Sequence, residues 1–579
     1  MRGFASAVYA WGRGAYGSLG LPPSTPPSSS SSVVCLDARA PSRVPGLPDD
    51  VISVCAGHYA SFAVDGAGRL WSWGRPDEGV LGRRTEPGGG GAVPSYLPGL
   101  VEGLPSLRVV SAAASGVVAF AALEDGSLWS WGGSKRGALG QGPGVARSPR
   151  PGRVALPRGC EIAQVSAGWG HALALAAGVE VYSWGWPADG RLGRACAADA
   201  DADAADASPA AVARREARLH ALCDWAPREV EALRGLGVSR IACGNDHSLA
   251  LASDGRVFAF GDDSLGARGG AGLERDGRGA TEEKGRGESG ASRRGHGARE
   301  IMRVDDGAPS RGAPAGQTLR AAASGSPPPP PPPALVRVPL PAPVVSIAAG
   351  LGHSLALDAR GRMWAWGWDA AGQLGRGGDA APSATSEARR PCRVDTWGRL
   401  RAGGGRPQPL LAAGRAHSLA AGAEEEEEDE GEEERDGAGG GAGGERDGAG
   451  GGAGGERDGA GGGAGGERDG AGGGAGGERD GAGGGAGGER DGAGGGAGGE
   501  RDGAGGGAGE APLRPFSPDS LVCLAWGAAD NGRLGTGEVV DSPCPEPIPE
   551  LDGKTILGLA AGWDHSLALV REGEGGNDL

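Results

Sequence analysis

Aromatic residues are scarce in this 579-residue chain, which has 15 Trp, 6 Phe and 5 Tyr. Long apolar runs are also missing, and without a run of about eighteen apolar residues no transmembrane helix is predicted. The start, MRGFASAVYAWGRG, has neither the apolar core of a signal peptide nor the Arg/Ser richness of a transit peptide. The nine cysteines are odd in number and form no CxxC pair, so free thiols are expected instead of disulfides or a zinc site. These absences predict a cytoplasmic or nuclear protein without a membrane partner.

A basic bias is missing as well. The net charge is −16, but residues 424–510 alone hold 24 Asp/Glu against 7 Arg, a balance of −17. The remaining residues hold 49 acids and 50 bases and are nearly neutral. This balance argues against nucleic acid as a partner, because dedicated DNA binders carry clustered positive charge.

What the chain has in abundance is repetition. A phrase of the form AGxxHSLAL occurs seven times with some decay: AGHYASFAV (56–64), ASGVVAFAA (114–122), AGWGHALAL (167–175), CGNDHSLAL (243–251), AGLGHSLAL (349–357), AGRAHSLAA (413–421) and AGWDHSLAL (561–569). Five copies carry a histidine in one slot: His171, His247, His353, His417 and His565. Seven copies of a unit of this size indicate a repeat architecture.

A second phrase, aromatic-x-Trp-Gly, also occurs seven times. Its last aromatic residue is Trp11, Trp73, Trp131, Trp184, Phe260, Trp366 or Trp526. In five copies this residue follows the histidine slot by thirteen positions, across a Gly-containing turn, as in HSLALDARGRMWAWG. Strand, turn and strand at this spacing predict a β-hairpin, with alternate aromatics on one face.

Two copies break the spacing. His417 and Trp526 are 109 residues apart, so about 96 extra residues lie between them. His565 has no downstream aromatic partner, whereas Trp11 has no upstream histidine. A ring explains this second mismatch, if the C-terminal strand pairs with the N-terminal one and leaves no exposed terminal sheet. The sequence therefore predicts an all-β, seven-bladed β-propeller closed by its N- and C-terminal strands.

A third element, Leu-Gly, follows most of these aromatics, with its Leu eight residues downstream. The fourth unit departs, because FGDDSLG places Leu265 only five residues after Phe260. The order AGxxHSLAL, hairpin, aromatic-x-WG, GxLG resembles the repeats of the regulator of chromosome condensation family, the RCC1-type propellers. The resemblance covers residues 1–266, 334–423 and 511–579, and it implies a seven-bladed propeller with a split last blade.

Long insertions interrupt the predicted propeller, which occupies 1–423 and 511–579. Residues 267–333 are Gly/Arg-rich and end in seven prolines, and residues 424–510 combine an acidic run with seven tandem copies of an eleven-residue Gly-rich unit. Such compositions bury too little apolar surface to order themselves, so both segments are predicted to be disordered. A shorter insertion at 195–230 is predicted to be a loop whose latter half forms one surface helix.

The histidines are not predicted to be catalytic. Equivalent slots in a ring point in different directions and cannot converge on one substrate or metal, and Ala60 and Val118 replace the histidine in two units. Each histidine is expected to hydrogen-bond the backbone of its own blade. No hydrolase, metalloprotease or phosphate-loop motif stands out, so no catalytic residue, cofactor or metal is predicted.

Trp169 and Trp563 raise a separate question, because an ultraviolet-sensing member of the family uses tryptophans of a Gly-Trp-Arg-His phrase. Here Gly170 and Asp564 precede the histidines, and the phrase has no Arg. Units three and seven are also not adjacent in a ring of seven. The two tryptophans are therefore expected not to pack together.

Function is expected to lie in the loops, because propellers place variable loops on a fixed scaffold. The first hypothesis is a monomeric, non-enzymatic scaffold for a protein partner. The resemblance implies an alternative, guanine-nucleotide exchange on a Ran-like small GTPase, although the C-terminus REGEGGNDL is not the basic tail with which the founding member binds chromatin. A third possibility is the binding half of a larger enzyme.

Overall fold

The computed structural model describes residues 5–23, 36–85, 93–134, 136–194, 222–270, 335–377, 387–394, 399–401, 409–425 and 521–572. Their regular structure consists of twenty-nine β-strands and short 3₁₀ turns. The turns are Ala15–Gly17, Asp77–Gly79, Ala188–Gly190, Glu231–Leu233, Asp530–Gly532 and Pro549–Leu551. All but the first two residues of the predicted insertion at 424–510, and most of the one at 267–333, lie outside the described residues.

The strands are numbered along the chain and form seven antiparallel sheets, here called blades 1 to 7. The chain begins with two strands that belong to blade 7, β1 (Ser6–Gly12) and β2 (Ala38–Arg43). Blade 1 contains β3 (Val51–Ala56), β4 (Ala60–Asp65), β5 (Leu70–Gly74) and β6 (Gly99–Leu100). Blade 2 contains β7 (Val109–Ser115), β8 (Val118–Leu123), β9 (Leu128–Gly133) and β10 (Arg147–Arg153). Blade 3 contains β11 (Ile162–Ala167), β12 (His171–Ala176), β13 (Val181–Gly185) and β14 (Asp224–Glu229).

The second half of the ring repeats this plan. Blade 4 contains β15 (Val238–Cys243), β16 (His247–Ala252), β17 (Val257–Gly261) and β18 (Val336–Arg337). Blade 5 contains β19 (Val344–Ala349), β20 (His353–Asp358), β21 (Met363–Trp368) and β22 (Glu387–Arg393). Blade 6 contains β23 (Arg399–Arg401), β24 (Leu410–Ala413), β25 (His417–Glu425), β26 (Leu521–Gly527) and β27 (Ser542–Pro547). Blade 7 is completed by β28 (Ile556–Ala561) and β29 (His565–Arg571).

The ring closes as the sequence predicts. In blade 7 the N-terminal β1 pairs with the C-terminal β29 in an unbroken antiparallel register that runs from Ser6↔Arg571 to Gly12↔His565. The innermost strand of each blade contacts the innermost strand of the next, from β3 and β7 round to β28 and β3. The prediction of a seven-bladed propeller closed by its terminal strands is therefore confirmed.

The core lies between neighbouring blades. Six repeat tryptophans have no more than a trace of exposed surface, namely Trp11, Trp73, Trp131, Trp184, Trp366 and Trp526. Trp184 of blade 3, for example, packs edge-on against Phe120 of blade 2 with ring centroids 5.8 Å apart. Each buried ring of this kind contributes roughly 1.5–3 kcal/mol. The few aromatics of the chain are thus placed where two sheets meet.

One boundary predicted from the sequence is wrong, and the structure explains the departure of the fourth unit. The predicted loop at 195–230 ends earlier, because residues 224–229 form β14, the outer strand of blade 3, and the part predicted to form a surface helix lies mostly outside the described residues. In blade 4, the residue that takes the Leu-Gly leucine slot is Arg268. The following Gly269 lies where a Cβ would be 2.7 Å from the next blade's Trp366 Nε1, the same close approach that Gly140 makes to Trp184. The turn of blade 4 therefore has the same length as the equivalent turn of blade 2, and Leu265 does not occupy the leucine position of the Leu-Gly element.

Candidate functional site

Seven loops surround the mouth of a central channel, and each joins the innermost strand of a blade to the strand that follows it in the chain. The end of the ring that carries these loops is called the mouth face below. The channel encloses a cavity of about 110 Å³ lined by small residues of the AG phrases and by larger side chains that follow them, including His58, Asn245, Leu351, Arg415 and Trp563. All seven blades contribute residues to this cavity.

The glycine of the AG phrase is required by close contacts between blades. A Cβ on Gly168 would lie 2.1 Å from Cε1 of His171 in its own blade and 2.5 Å from the carbonyl oxygen of Gly244 in the next. The equivalent glycines Gly244, Gly350, Gly414 and Gly562 are confined in the same way. The phrase therefore couples the histidine to the neighbouring blade.

The histidine side chains link blades, and the expectation that they bond their own blade's backbone is wrong for Nε2. His171 Nε2 lies 3.0 Å from Ser248 Oγ of blade 4, and the pattern continues round the ring. The equivalent pairs are His247–Ser354, His353–Ser418, His417–Ser566 and His565–Ser61, at 2.8–3.0 Å. Ser248 Oγ donates in turn to the Arg191 carbonyl oxygen, so His171 Nε2 must carry the proton and donate to the serine.

Where the histidine of this link between blades is missing, its serine partner in the next blade is missing too. Blade 1 has Ala60 in the histidine slot, and blade 2 has Ala119 where its serine partner would be. Blade 2 has Val118, and blade 3 has Ala172 opposite it. In blade 2 the AG glycine is replaced by Ser115, whose Cβ would occupy the space that a histidine ring needs.

The repeat tryptophans also bond across blade boundaries. Trp73 Nε1 donates to the carbonyl oxygen of Ser18 in the preceding blade's turn, at 3.0 Å, and Ser61 Oγ donates to the same oxygen at 2.8 Å. The remaining bonds of this kind are Trp11–Arg533, Trp131–Val80, Trp184–Ala138, Trp366–Ala267 and Trp526–Gln373. Phe260 occupies the slot in blade 4 without an N–H. None of these histidines or aromatics is among the residues that line the channel.

Burial keeps the linking histidines neutral. It lowers the pKa of His353 to about 3 and of His247 and His565 to about 4, and it places the pKa of His171 and His417 well below the usual value. A histidine that stays neutral at physiological pH and is bound through Nε2 to a buried serine is a structural hydrogen-bonding group and not a general base. Its role in this ring is therefore to hold neighbouring blades together.

The expectation that Trp169 and Trp563 do not pack together is wrong. Their ring centroids lie 6.4 Å apart, and His58 contacts both, stacked on Trp169 at 5.0 Å and tilted against Trp563 at 4.1 Å. Blades 1 and 2 separate the two tryptophans along the ring, and His58 provides blade 1's loop side chain. Blade 2 has Gly116 in that slot, where a Cβ would lie 3.2 Å from Trp169 Cζ3. Trp169 reaches His58 because this slot holds no side chain.

Two tyrosines extend this aromatic cluster outward. Tyr59 lies edge-on to His58 at 6.4 Å and to Tyr16 at 5.4 Å, and the Arg75 guanidinium lies over both tyrosine rings at 4.8 and 5.6 Å. Tyr16 is 53% exposed and sits in the left-handed region with φ 63°. The same conformation occurs at the equivalent turn position of three other blades, so it belongs to the repeat turn.

Three arginines approach one buried carboxylate beside Trp563. Asp564 lies 3.4 Å from Arg13, 3.7 Å from Arg415 and 3.2 Å from Arg533. The Arg415 guanidinium also lies 5.3 Å from the Trp563 ring centroid, a cation–π distance. Burial, His565 and Arg415 lower the pKa of His58 to about 3, so its imidazole is neutral within this cluster.

Comparison with known proteins identifies the architecture. The sequence model of the RCC1-like domain matches residues 7–424, and that of the regulator of chromosome condensation (RCC1) repeat matches residues 522–569. The chain belongs to the RCC1-like domain family. The first match alone covers well over half of the sequence, and the predicted resemblance to RCC1-type propellers is thereby confirmed.

Relatives of this chain include one protein from a plant and one from human. The chain is 28% identical over 263 residues to the Ultraviolet-B receptor UVR8 of Arabidopsis thaliana, covering 45% of this chain and 50% of that protein. It is 30% identical over 227 residues to Protein RCC2 of Homo sapiens, covering 37% and 40%. The aligned segments thus span half or less of these relatives. The crystal structure of Prp20p from Saccharomyces cerevisiae is similar with a TM-score of 0.55 at 18% identity, covering 99% of this chain and 93% of that one, and it supports the shared fold.

The described residues contain no group of three or more His, Cys, Asp or Glu placed to hold a metal ion. Their seven cysteines are free thiols, and burial raises the pKa of Cys55, Cys243 and Cys523 to about 12. No helix in these ranges has the length and apolar character needed to cross a membrane.

The sequence reading missed the mouth cluster. Its members occupy the two variable positions of AGxxH, as His58 and Tyr59 do, or lie in the turn after aromatic-x-WG, as Tyr16 does. The variable positions, taken in the order of the blades, predict that His58 and Trp563 lie in adjacent loops. They do not show that Trp169 crosses the place of Gly116.

Proposed function

We propose that this RCC1-like propeller is a non-enzymatic scaffold that binds a protein partner through its mouth face. The observation that carries the proposal is the continuous, partly exposed cluster of Tyr16, Tyr59, His58, Trp169 and Trp563 with arginines at its edges. Tyr, Trp and Arg are the residue types that dominate binding energy at protein interfaces. The family supports an interaction or regulatory role of this general kind.

The opposite end of the strands offers a natural control. Ile52 and Val110 are 52% and 53% exposed, as much as Tyr16, and they lie at the starts of β3 and β7, away from the mouth. They are single aliphatic residues without an aromatic and arginine cluster around them. This contrast favours the mouth face for recognition.

The test is affinity capture with the full chain, comparing wild type with Tyr16→Ala, Trp169→Ala and the control Ile52→Ala. Loss of a hot-spot aromatic is expected to lower the affinity for the captured partner by about thirtyfold or more, which corresponds to ~2 kcal/mol of binding free energy. The Tyr16 ring is 53% exposed, so its removal leaves the core intact, and thermal unfolding of each variant checks that it is folded. If both mouth variants captured the partner as strongly as the wild type, the proposal would be overturned. Loss of the partner with Ile52→Ala would move the site to the other face.

Guanine-nucleotide exchange on a Ran-like small GTPase is a second candidate. What favours it is the structural similarity to Prp20p, whose reported properties include binding to Gsp1p and histones. Exchange requires only preferential binding to the nucleotide-free GTPase and no covalent chemistry. Release of fluorescent GDP from a Ran-type GTPase, with catalytic amounts of this protein, tests it. Acceleration that Tyr16→Ala abolishes would identify an exchange factor, and no acceleration would leave the scaffold role.

A nuclear or cytoplasmic location and a monomeric state remain predictions from the sequence. Free thiols in the described part of the chain are compatible with a reducing compartment. Imaging of the tagged protein and light scattering of the purified one would test the two predictions separately.

A further inference from the structure

The central channel has a single sign of charge. Eighteen residues line it, and Arg415 is the one charged side chain among them. His58, the titratable neighbour across the mouth, is neutral, and no Asp or Glu belongs to this lining. A channel edged by a guanidinium and lined otherwise by neutral groups favours an anionic occupant.

The surroundings of Arg415 add to this bias. Arg13, Arg415 and Arg533 share the carboxylate of Asp564, whose side chain is only 4% exposed. Arg533 also reaches the exposed Asp530 at 3.4 Å. The two arginines with exposed surface, Arg13 at 44% and Arg415 at 22%, share the Asp564 carboxylate, whereas Arg533 is buried and also interacts with the charges of Asp530 and Asp541.

The size of the cavity limits what enters. About 110 Å³ is the size of a small internal cavity and suits one short side chain. Trp563 and His58 form part of the wall, so a methylene next to a carboxylate would have aromatic contacts. Arginine favours carboxylates because its planar fork binds both oxygens.

We propose that the channel mouth receives the carboxylate side chain of an acidic segment of the partner protein, held by Arg415 with help from Arg13. This inference rests on the proposed function, because the aromatic cluster would bind the surface around that carboxylate. It makes Arg415 a specificity-determining residue for Asp or Glu at the centre of the interface.

The probe is a fluorescein-labelled deca-glutamate peptide, titrated with the full chain and followed by fluorescence anisotropy. Arg415→Gln is expected to weaken binding at least tenfold, and Arg13→Gln should weaken it less. The matched control is Arg153→Gln, which removes an exposed arginine from the outer strand β10. A deca-lysine peptide is expected not to bind. Thermal unfolding of each variant checks that it is folded, and Arg13→Gln, at an exposed position, provides a second test if Arg415→Gln is unstable.

Several outcomes would overturn the inference: no binding of deca-glutamate to the wild type, equal weakening by Arg153→Gln, or no weakening by either mouth arginine. Displacement of the peptide by inorganic phosphate at constant ionic strength would also overturn it, by indicating a site for small anions. Capture of a partner that depends on Tyr16 while deca-glutamate fails to bind would reject the acidic segment alone. Capture that depends on neither Tyr16 nor Trp169 would reject the proposed function itself.

Discussion

His171 of blade 3 and Ser248 of blade 4 are 77 residues apart in sequence and joined by a 3.0 Å hydrogen bond between Nε2 and Oγ. Both side chains are buried, and the serine hydroxyl donates its own hydrogen bond to the carbonyl oxygen of Arg191. Five such relays connect five of the seven blade boundaries. They explain why the repeat phrase reads His-Ser, because each residue serves a different neighbour.

The relay predicts energetic coupling between these two residues. His171→Ala and Ser248→Ala should each lower the free energy of unfolding by roughly 1–3 kcal/mol, since each leaves a buried polar partner unsatisfied. The double variant should cost less than the sum by about 1 kcal/mol. Urea unfolding of the four proteins measures this coupling. Strict additivity would contradict the relay, and Ala172→Ser, at a slot without a histidine partner, serves as a control that should give no gain.

The missing relay between blades 1 and 2 can be installed. Ala60→His with Ala119→Ser should raise the unfolding midpoint by an amount equivalent to ~1 kcal/mol, because Gly57 already leaves room at the AG position. Either substitution alone should be neutral or destabilising. Thermal or urea unfolding of the pair against the two single variants decides the matter.

The boundary between blades 2 and 3 provides the contrast. Val118→His with Ala172→Ser should destabilise, because the Ser115 Cβ stands where the glycines leave space for the ring. Adding Ser115→Gly should reverse the loss. If the triple variant is no more stable than the double one, the proposed steric role of the AG glycine is wrong.

The buried histidines predict instability in weak acid. An unfolded histidine takes up its proton near pH 6.5, whereas in the fold burial lowers the pKa of His353 to about 3 and of His565 to about 4. Between about pH 6.5 and 4 the unfolded state therefore binds more protons, and stability is lost as the pH falls. Each histidine contributes up to ~1.4 kcal/mol per pH unit in this window. Urea midpoints should be flat above pH 7 and fall below 6.5, less steeply in His353→Gln. A midpoint that declines only below pH 4 would contradict this account.

The mouth cluster depends on an empty slot at Gly116. Gly116→Ala should push the Trp169 ring away from His58, because a Cβ there would lie 3.2 Å from Cζ3 of the indole. The near-ultraviolet circular dichroism of the tryptophans should change as a result. The matched control is Gly235→Ala, since Gly235 also has a positive φ, of 74°, but has nothing within 4 Å of the added atom. Identical spectra for the two variants would show that Trp169 is not held against this slot.

Much of the propeller could be predicted because each blade is local. The histidine slot and the repeat tryptophan lie on adjacent strands of one hairpin, and their thirteen-residue spacing appears in the structure as His171 paired with Gly185, next to Trp184. The unmatched Trp11 and His565 were enough to predict ring closure. What could not be predicted was the partner of each histidine, because that partner lies in the next blade, at a distance set by how sheets pack and not by local spacing.

The sequence by itself determined the number of blades, their register, the closing pair of strands and the positions of the buried repeat aromatics. It could do so because the strands of an antiparallel hairpin lie close together in the sequence, and their alternation is visible in neighbouring residues. Only the tertiary structure decided which variable loop residues meet at the channel mouth. Trp169, His58 and Trp563 come from blades 3, 1 and 7, and their contact requires seven sheets to converge on one axis and a glycine to leave a gap between them. Convergence of this kind depends on the curvature of the whole ring, which no single repeat encodes.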